Sequence, residues 1–245
     1  MHLPAALIRA TFALALGAAA VSANAGVVVH GSRVIYPAEQ RGVSVRLENS
    51  GDVPSLVQTW IGTGNQEAAA GQESTVPFAI RPPIFRMDAG RAQVVRIVHT
   101  GEPMAADRES LYTFNVLDVP AKQTNVDAVS QKMHLVVRSQ LKLLYRPKGL
   151  SSAGAGKAAQ QIQWSLSKDA QGWALHARNP TPYYVSISAI SVSEGHVKVD
   201  VAAPLETTPY RLTQAQYNAL GDQVRFSYVT DLGKKIETTA PLARP

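Results

Sequence analysis

The segment from Met133 to Pro147 reads MHLVVRSQLKLLYRP, and it decides the fold class. It is rich in β-branched and apolar residues and contains no Gly or Pro before Pro147, so it predicts one long strand. Met133, Leu135 and Val137 share one face of that strand because side chains alternate along it. Lys142 stands between two leucines, where a buried cation is costly unless an anion meets it. The strand is therefore predicted to present apolar side chains along its first half and a positive charge near its end.

Similar β-rich segments recur about every ten residues, with turn residues between them, which is typical of an all-β sandwich or barrel. The strands predicted in the first half are Val27–Tyr36, Val43–Asn49, Ser55–Ile61, Ile80–Phe85, Gln93–His99, Leu111–Leu117 and Lys132–Tyr145. Those predicted in the second half are Ile162–Ser167, Trp173–Arg178, Tyr183–Val192, Val197–Val201, Tyr210–Leu212, Val224–Thr230 and Lys235–Thr239. Each half has the size of one immunoglobulin-like domain.

A connector separates the two halves. Residues 147–160 are rich in Gly and Ser, so they predict flexible or turn-forming backbone with little to bury. The predicted N-terminal domain spans 26–147, the linker 148–159 and the C-terminal domain 160–245. Thr213–Leu220 fits either a helical turn or a loop.

Residues 1–25 have the pattern of a cleavable export signal. A weakly basic start containing His2 and Arg9 precedes an apolar run at 10–21 that is too short to span a bilayer. Ala23 and Ala25 are small residues at the positions that a signal peptidase reads. We therefore predict cleavage after Ala25, which leaves an exported chain of 220 residues, 26–245.

Composition and motifs exclude several classes of chemistry. The chain has no cysteine, which removes thiol catalysis, iron–sulfur clusters and cysteine-rich zinc sites. The six histidines lack zinc-ligand spacing, and there is no GxSxG motif and no Gly-rich phosphate loop. The net charge of +6 comes from scattered basic residues, so together with the export signal it argues against nucleic acid as a partner. We predict no catalytic residues, no metal and no cofactor, although a pair of carboxylates that meets only in space would escape this search.

What remains is a set of charged residues in or beside apolar strands: Arg33, Glu109, Lys142, Arg146 and Asp231. One interpretation places all of them at strand edges, where their stems cover apolar surface. The other has two of the cations converge on a single anion. Sequence spacing leaves both interpretations open.

Several segments of the sequence, taken in order, resemble those of the periplasmic chaperones of the chaperone–usher pathway, the pilus-assembly chaperones of the PapD and FimC type. The matching segments cover essentially the whole exported chain, and they are Ser32–Ala38, Trp60–Ile61, Asn65–Glu67, Asp107–Leu111, Phe114–Asn115, Leu141–Pro147, Asn179–Tyr184 and Asp231–Gly233.

The resemblance implies two immunoglobulin-like β-sandwich domains in a boomerang arrangement, with a cleft between them. It implies that Arg33 and Lys142 bind the C-terminal carboxylate of a pilus subunit. It implies further that the strand carrying Met133, Leu135 and Val137 is lent to the subunit by donor-strand complementation.

Glu109, Arg146 and Asp231 match a charged cluster that fixes one domain relative to the other. The implied partners are pilus subunits and an outer-membrane usher, the implied location is the periplasm, and no enzymatic activity or cofactor is implied. An exposed strand edge also allows the free protein to self-associate.

Two features depart from the shortest members of the family. The loop Pro120–Gln131 is longer, and Val126 or Val129 in it could add a further anchor. Lys142 is an even-numbered residue of the strand, whereas Met133, Leu135 and Val137 are odd-numbered. The cation and the anchors are therefore expected on different faces of the strand unless a bulge intervenes.

Two other functions stay open from the sequence alone. An exported adhesin or carbohydrate-binding protein of the same fold would need exposed aromatic residues on a flat face, and Trp60, Trp164 and Trp173 are the candidates. At strand positions these tryptophans are expected to pack in a core instead. A secreted hydrolase would need a catalytic constellation, and the sequence shows none.

Overall fold

In a computed structural model, the described residues are 26–64, 76–121, 135–192, 197 and 199–244. The strands of the first half are β1 Val27–Val29, β2 Arg33–Pro37, β3 Val43–Asn49, β4 Ser55–Thr63, β5 Phe78–Arg81, β6 Ile84–Met87, β7 Ala92–His99, β8 Ser110–Pro120 and β9 Val137–Arg146. Those of the second half are β10 Gln163–Asp169, β11 Gly172–Arg178, β12 Val185–Ser191, β13 Val201–Ala202, β14 Thr207–Leu212, β15 Gln223–Val229 and β16 Lys235–Ala243. The helices are α1 Ser152–Ala158, a 3-10 turn at Ala159–Gln161 and α2 Gln214–Asn218. No helix in these ranges is long and apolar enough to cross a membrane.

The first half is a sandwich of two sheets, as the sequence predicts. One sheet has the order β1-β3-β7-β5 and the other β2-β9-β8-β4-β6. Alternate side chains of both sheets point inward and form one core, because a sheet with one apolar face must bury it against a second layer. Its fully buried large side chains include Tyr36, Leu47, Val57, Phe114 and Leu143.

Two predicted strands are each divided between the two sheets. The predicted strand Val27–Tyr36 breaks at Gly31, whose φ of 109° is accessible to glycine but rare for other residues. Its first part pairs with β3 and its second part with β9. The predicted strand Ile80–Phe85 is interrupted at Pro82 and Pro83, which cannot donate to a ladder. The two predictions missed these crossings because they treated the apolar residues on each side of the break as one strand.

The second half is a smaller sandwich with the strand order β13-β12-β15-β16-β10-β11-β14. β16 pairs with β15 along its length and with β10 at Leu242 and Ala243, so it links the two layers. Trp164, Leu175 and Phe226 lie at the centre of its core. The predicted strand Val197–Val201 is wrong in the part described, where only Val201 enters a strand, the short β13.

The predicted flexible connector is also wrong, because α1 and the 3-10 turn occupy much of it. The Ser151 side chain caps α1 by accepting a hydrogen bond from the Gly154 amide at 3.1 Å. Ala158 and Ala159 are buried in the second core, and a side chain on Gly154 would overlap the Tyr183 hydroxyl. Tertiary packing of small residues therefore outweighs the low helix propensity of glycine here.

The ambiguous segment 213–220 forms the short helix α2. The Thr213 side chain accepts from the Gln216 amide, and the Gln216 side chain accepts from the Thr213 amide. This reciprocal pair satisfies two amides that the helix leaves free, so it fixes where the helix begins.

Candidate functional site

Arg33 and Lys142 lie side by side where the two sandwiches meet. β2 pairs with β9 in parallel, and Arg33 is the partner of Lys142 in that register. The next pair, Val34 and Leu143, is buried in the first core. Because side chains alternate, both cations lie on the opposite face of the sheet, towards the second domain. The structure therefore brings together the two residues that the resemblance assigns to one carboxylate.

Arg33 also contacts the second domain directly. Its Nη1 donates to Ser186 Oγ at 3.1 Å and to the Val229 carbonyl at 2.9 Å. Its Nε is buried and has no hydrogen-bond partner within the described part of the chain. Burial lowers the pKa of Arg33, and the charge of Asp231 acts in the opposite direction. The guanidinium is thus held between the domains, and its buried Nε is left unpaired by the described residues.

The Lys142 ammonium is less well compensated. Burial lowers its pKa, and the neighbouring charge of Arg33 lowers it further, while Asp200 of the second domain raises it. In the ranges that the structure describes, no residue forms a hydrogen bond or ion pair with this ammonium. Two half-buried cations side by side with unused donors favour an anion, and a carboxylate meets both the charge and the hydrogen-bonding requirement.

A cavity of about 400 Å³ opens beside Arg33. β9 contributes Leu144 to its wall, α1 contributes Ala155 and the second domain contributes Val185 and Tyr228. The cleft therefore combines a cationic rim with an apolar interior.

The other three charged residues form one buried cluster across the domain junction. Arg146 Nε donates to Glu109 Oε1 at 2.7 Å, and Arg146 Nη1 donates to Asp231 Oδ2 at 2.9 Å. Glu109 Oε2 accepts from the Tyr184 amide at 2.8 Å. The Glu109 and Arg146 side chains are 1% and 3% exposed, and Asp231 is 23% exposed. The residue before β8 and the last residue of β9 are thereby tied to Tyr184 and Asp231 of the second domain.

Burial has opposite outcomes for the pKa values of Glu109 and Arg146. Burial raises the pKa of Glu109, although Arg146 and the Tyr184 amide act against this. For Arg146, burial lowers the pKa, but the hydrogen bond to Asp231 and the charge of Glu109 outweigh it, so the pKa is raised. Asp231 therefore acts on two of the three cations of the junction, Arg146 by contact and Arg33 by its charge.

β9 has a main-chain edge that is only partly covered. β8 pairs with it from Val137 to Tyr145, whereas β2 pairs only from Lys142 to Arg146. Among the described residues, the stretch 137–141 thus has a neighbouring strand on one side alone. Unpaired edges of this kind are templates for another strand.

The predicted anchors lie at the start of this edge. Leu135 is 64% exposed and Val137 40%, and Val137 lies on the same face as the buried Leu141 and Leu143. The β8–β9 register is continuous from Val137 to Tyr145, so no bulge brings Lys142 onto that face. Met133 and the loop residues 122–131, with Val126 and Val129, lie outside the described residues.

The opposite face of β9 carries a polar cluster that sequence reasoning missed. Arg138 Nη2 and Gln140 Nε2 both donate to Asn115 Oδ1, at 2.9 and 3.0 Å, and the Arg138 guanidinium lies 5.1 Å from the Trp60 ring centroid. The alternation of Arg138, Gln140 and Lys142 signals this polar face in the sequence. These side-chain bonds link the first half of β9 to Asn115 of β8 in addition to the main-chain ladder.

The described residues give little support to the two alternative functions, an adhesin or carbohydrate-binding protein and a hydrolase. Trp164 is a core residue at 2% exposure, and Trp173 stacks on Tyr217 with 3.8 Å between ring centroids, so their faces are occupied. In the part of the chain described, no group of three or more His, Asp or Glu side chains is arranged to hold a metal.

Comparison with known proteins gives the same family for both halves. The model described as "Pili and flagellar-assembly chaperone, PapD N-terminal domain" matches residues 26–151, and "Pili assembly chaperone PapD, C-terminal domain" matches residues 157–240. The probable fimbrial chaperone YadV of Escherichia coli K12 is 37% identical over 227 residues, covering 90% of this chain and 92% of the relative. The chaperone protein FimB/FhaD of Bordetella pertussis is 38% identical over 228 residues, covering 88% and 91%. The crystal structure of the YadV chaperone superposes with a TM-score of 0.71 at 35% identity, covering 89% of this chain and all of the other.

Proposed function

Because this chain belongs to the family of pilus-assembly chaperones, we propose that it binds and stabilises pilus subunits and delivers them to an outer-membrane usher. In this proposal it acts in the periplasm without catalysis and without a nucleotide, because the folding of the subunit itself can drive the handover. Residues 1–25 direct export and are then removed by cleavage after Ala25. The functional units are the N-terminal domain 26–147 and the C-terminal domain 160–245, joined by the helical segment 148–159.

The observation that carries the proposal is the free edge of β9 at residues 137–141. A pilus subunit of this class is a sandwich that lacks its last strand, so it too has an unpaired edge and an open groove. A subunit strand laid along β9 satisfies both edges with main-chain hydrogen bonds, which is β-augmentation.

The same geometry accounts for the binding of one pilus subunit, the guest, by anchors and cations that lie on different faces of β9. A guest strand beside residues 137–141 lies in line with β2 and ends where β2 begins, at Arg33. Its terminal carboxylate then reaches Arg33 and Lys142 from the edge of the sheet. Meanwhile Leu135 and Val137, with Met133, enter the groove of the guest from the other face. No bulge is required.

The apolar anchors and the two cations that bind the carboxylate, here called the carboxylate clamp, contribute differently to the free energy of binding. Burying an anchor of the Leu or Val kind stabilises a complex by roughly 1.5–3 kcal/mol. The carboxylate clamp adds charge-assisted hydrogen bonds but requires desolvation of the charges first, so its larger contribution is to register. A slip of one residue would turn every anchor away from the groove.

Replacing one anchor by aspartate is expected to prevent binding, and a neighbouring residue provides the control. Val137→Asp places a charge in the guest groove, so we expect loss of the soluble complex when the variant is co-expressed with a pilus subunit. Val136 is similarly exposed, at 52%, but lies on the other face, so Val136→Asp should leave the complex intact. The measurement is recovery of the one-to-one complex by size exclusion. Equal recovery with both variants would contradict the anchor assignment.

A further inference from the structure

The first residue predicted for the exported chain lies against a buried carboxylate. The Val27 amide donates to Asp118 Oδ2 at 2.8 Å, and the Gly26 carbonyl accepts from the Ser50 amide at 3.0 Å. Gly26 packs so closely on Asp118 that a Cβ atom at position 26 would overlap Oδ2. Only glycine fits over this carboxylate without a shift of the side chain beneath it.

Asp118 accepts one hydrogen bond, and one of its two carboxylate oxygens is left unpaired by the described residues. It is 3% exposed and points into the sandwich from β8, between Val57 of β4 and Val137 of β9. Its Oδ1 is buried, and no hydrogen bond reaches it within the described ranges. A buried carboxylate that accepts a single amide hydrogen bond is poorly compensated, so the site is suited to a cation.

The side chains of the surrounding strands do not supply that cation. β1 and β4 contain no charged residue. On β3, Arg46 pairs with Glu48 at 3.4 Å, and on β9, Arg138 bonds to Asn115 on the opposite face. None of these charged groups, nor any other in the described part of the chain, forms an ion pair with Asp118.

We propose that the Asp118 carboxylate is a receptor for the α-ammonium group of Gly26, which exists only after the export signal has been removed. The inference rests on the predicted cleavage after Ala25. Before cleavage the nitrogen of Gly26 is an amide with no charge. After cleavage it becomes an ammonium on the residue whose carbonyl accepts from the Ser50 amide and which packs against Asp118 Oδ2.

The ion pair between the Gly26 ammonium and Asp118 would stabilise the folded chain once the export signal has been removed. β1 has only three residues and lies at the edge of its sheet, so it gains little from its own ladder. An ammonium bonded to Asp118 pins the start of β1 to β8, in the other sheet, and closes the end of the sandwich next to Val137. The exported chain is therefore more firmly folded around the donor edge than its precursor.

The experiment uses four full-length exported chains released by a protease that leaves a chosen first residue. They begin at Gly26 or carry one additional Ala before Gly26, each with Asp118 or with Asp118→Asn. The isosteric Asn keeps an acceptor for the Val27 amide. We expect the added Ala to lower the thermal midpoint in the Asp118 chain and to change it little in the Asn chain. Equal changes in both backgrounds would overturn the proposal.

The second readout is the pKa of the α-amino group, followed by NMR in the chain that starts at Gly26. Pairing should raise it by about one unit above the ordinary range of about 7.7–8.0. A folded-state pKa above the unfolded value means that the stabilisation is full below about pH 7.7 and disappears as the pH rises through the folded value. An ordinary pKa would overturn the proposal even if Asp118→Asn fails to fold.

The mass of the protein purified from the periplasm tests the cleavage site separately. A first residue other than Gly26 would remove the biological role of the pair, whereas the protease-released chains would still test its chemistry. Failure of the subunit-binding experiment would leave this result unaffected, because none of these measurements involves a guest.

Discussion

Lys142→Ala is expected to abolish the complex with a pilus subunit while leaving the free protein folded. The Lys142 ammonium forms no hydrogen bond or ion pair with the described residues and is repelled by Arg33, so its removal relieves that repulsion in the free state. In the complex, the guest carboxylate would lose one of its two cations. Truncating one partner of a buried charge pair lowers affinity by about 2–5 kcal/mol, which is at least about 30-fold.

The control for this prediction is Lys235→Ala, which removes the same charge from an exposed position on β16. The measurement is the dissociation constant for a subunit, together with thermal unfolding of the free chaperone. Arg33→Ala should also abolish the complex, but it additionally breaks the bonds to Ser186 and Val229, so Lys142→Ala is the cleaner test. Full protection of the subunit by both variants would show that the clamp assignment is wrong.

Arg146→Met is expected to give the largest loss of stability of any single change at the junction. It leaves Glu109 as a buried carboxylate with only the Tyr184 amide as partner, and breaking such a pair destabilises by about 3–5 kcal/mol. It also releases Asp231 and Ser152 from Arg146 Nη1. Urea unfolding of the full chain, with the two domains followed separately by tryptophan fluorescence and NMR, measures the effect.

A surface ion pair provides the matched control. Arg211→Met breaks the Arg211–Asp169 contact of 2.8 Å, whose side chains are about half exposed, so the expected loss is only about 0–1 kcal/mol. Arg146→Met combined with Glu109→Gln should recover part of the stability, because the uncompensated charge is then gone. If Arg146→Met were no more destabilising than Arg211→Met, the cluster would not fix the domains.

The strand pattern predicted the all-β class, whereas the family resemblance supplied the cleft between two sandwiches and the pairing of Arg33 with Lys142. Alternation along the strands places Arg33 and Lys142 on the face opposite their buried neighbours, and the structure has them in one register pair. The convergence of Glu109, Arg146 and Asp231 is long-range, so it came only through the family resemblance. Their functional roles are still predictions.

What sequence reasoning missed depends on tertiary packing. The glycines at 154 and 156 suggested a flexible linker, but the small side chains of α1 let it pack on Tyr183 and enter the second core. At Gly31 and at Pro82 the chain changes sheets within segments that were each predicted as a single strand. The Asp118 site could not be predicted from the sequence, because it depends on the burial of the Asp118 Oδ1 atom and on the tertiary contact with Gly26.

The most direct test of the central claim is amide hydrogen exchange along β9, in the free chaperone and in its complex with a subunit. The account predicts that main-chain amides at 137–141 that point away from β8 exchange rapidly in dilute free protein and slowly in the complex. Amides at 142–146 should be protected in both states, because β2 already covers them. A tight complex in which 137–141 stay unprotected would contradict the proposal that the guest strand is added to this edge.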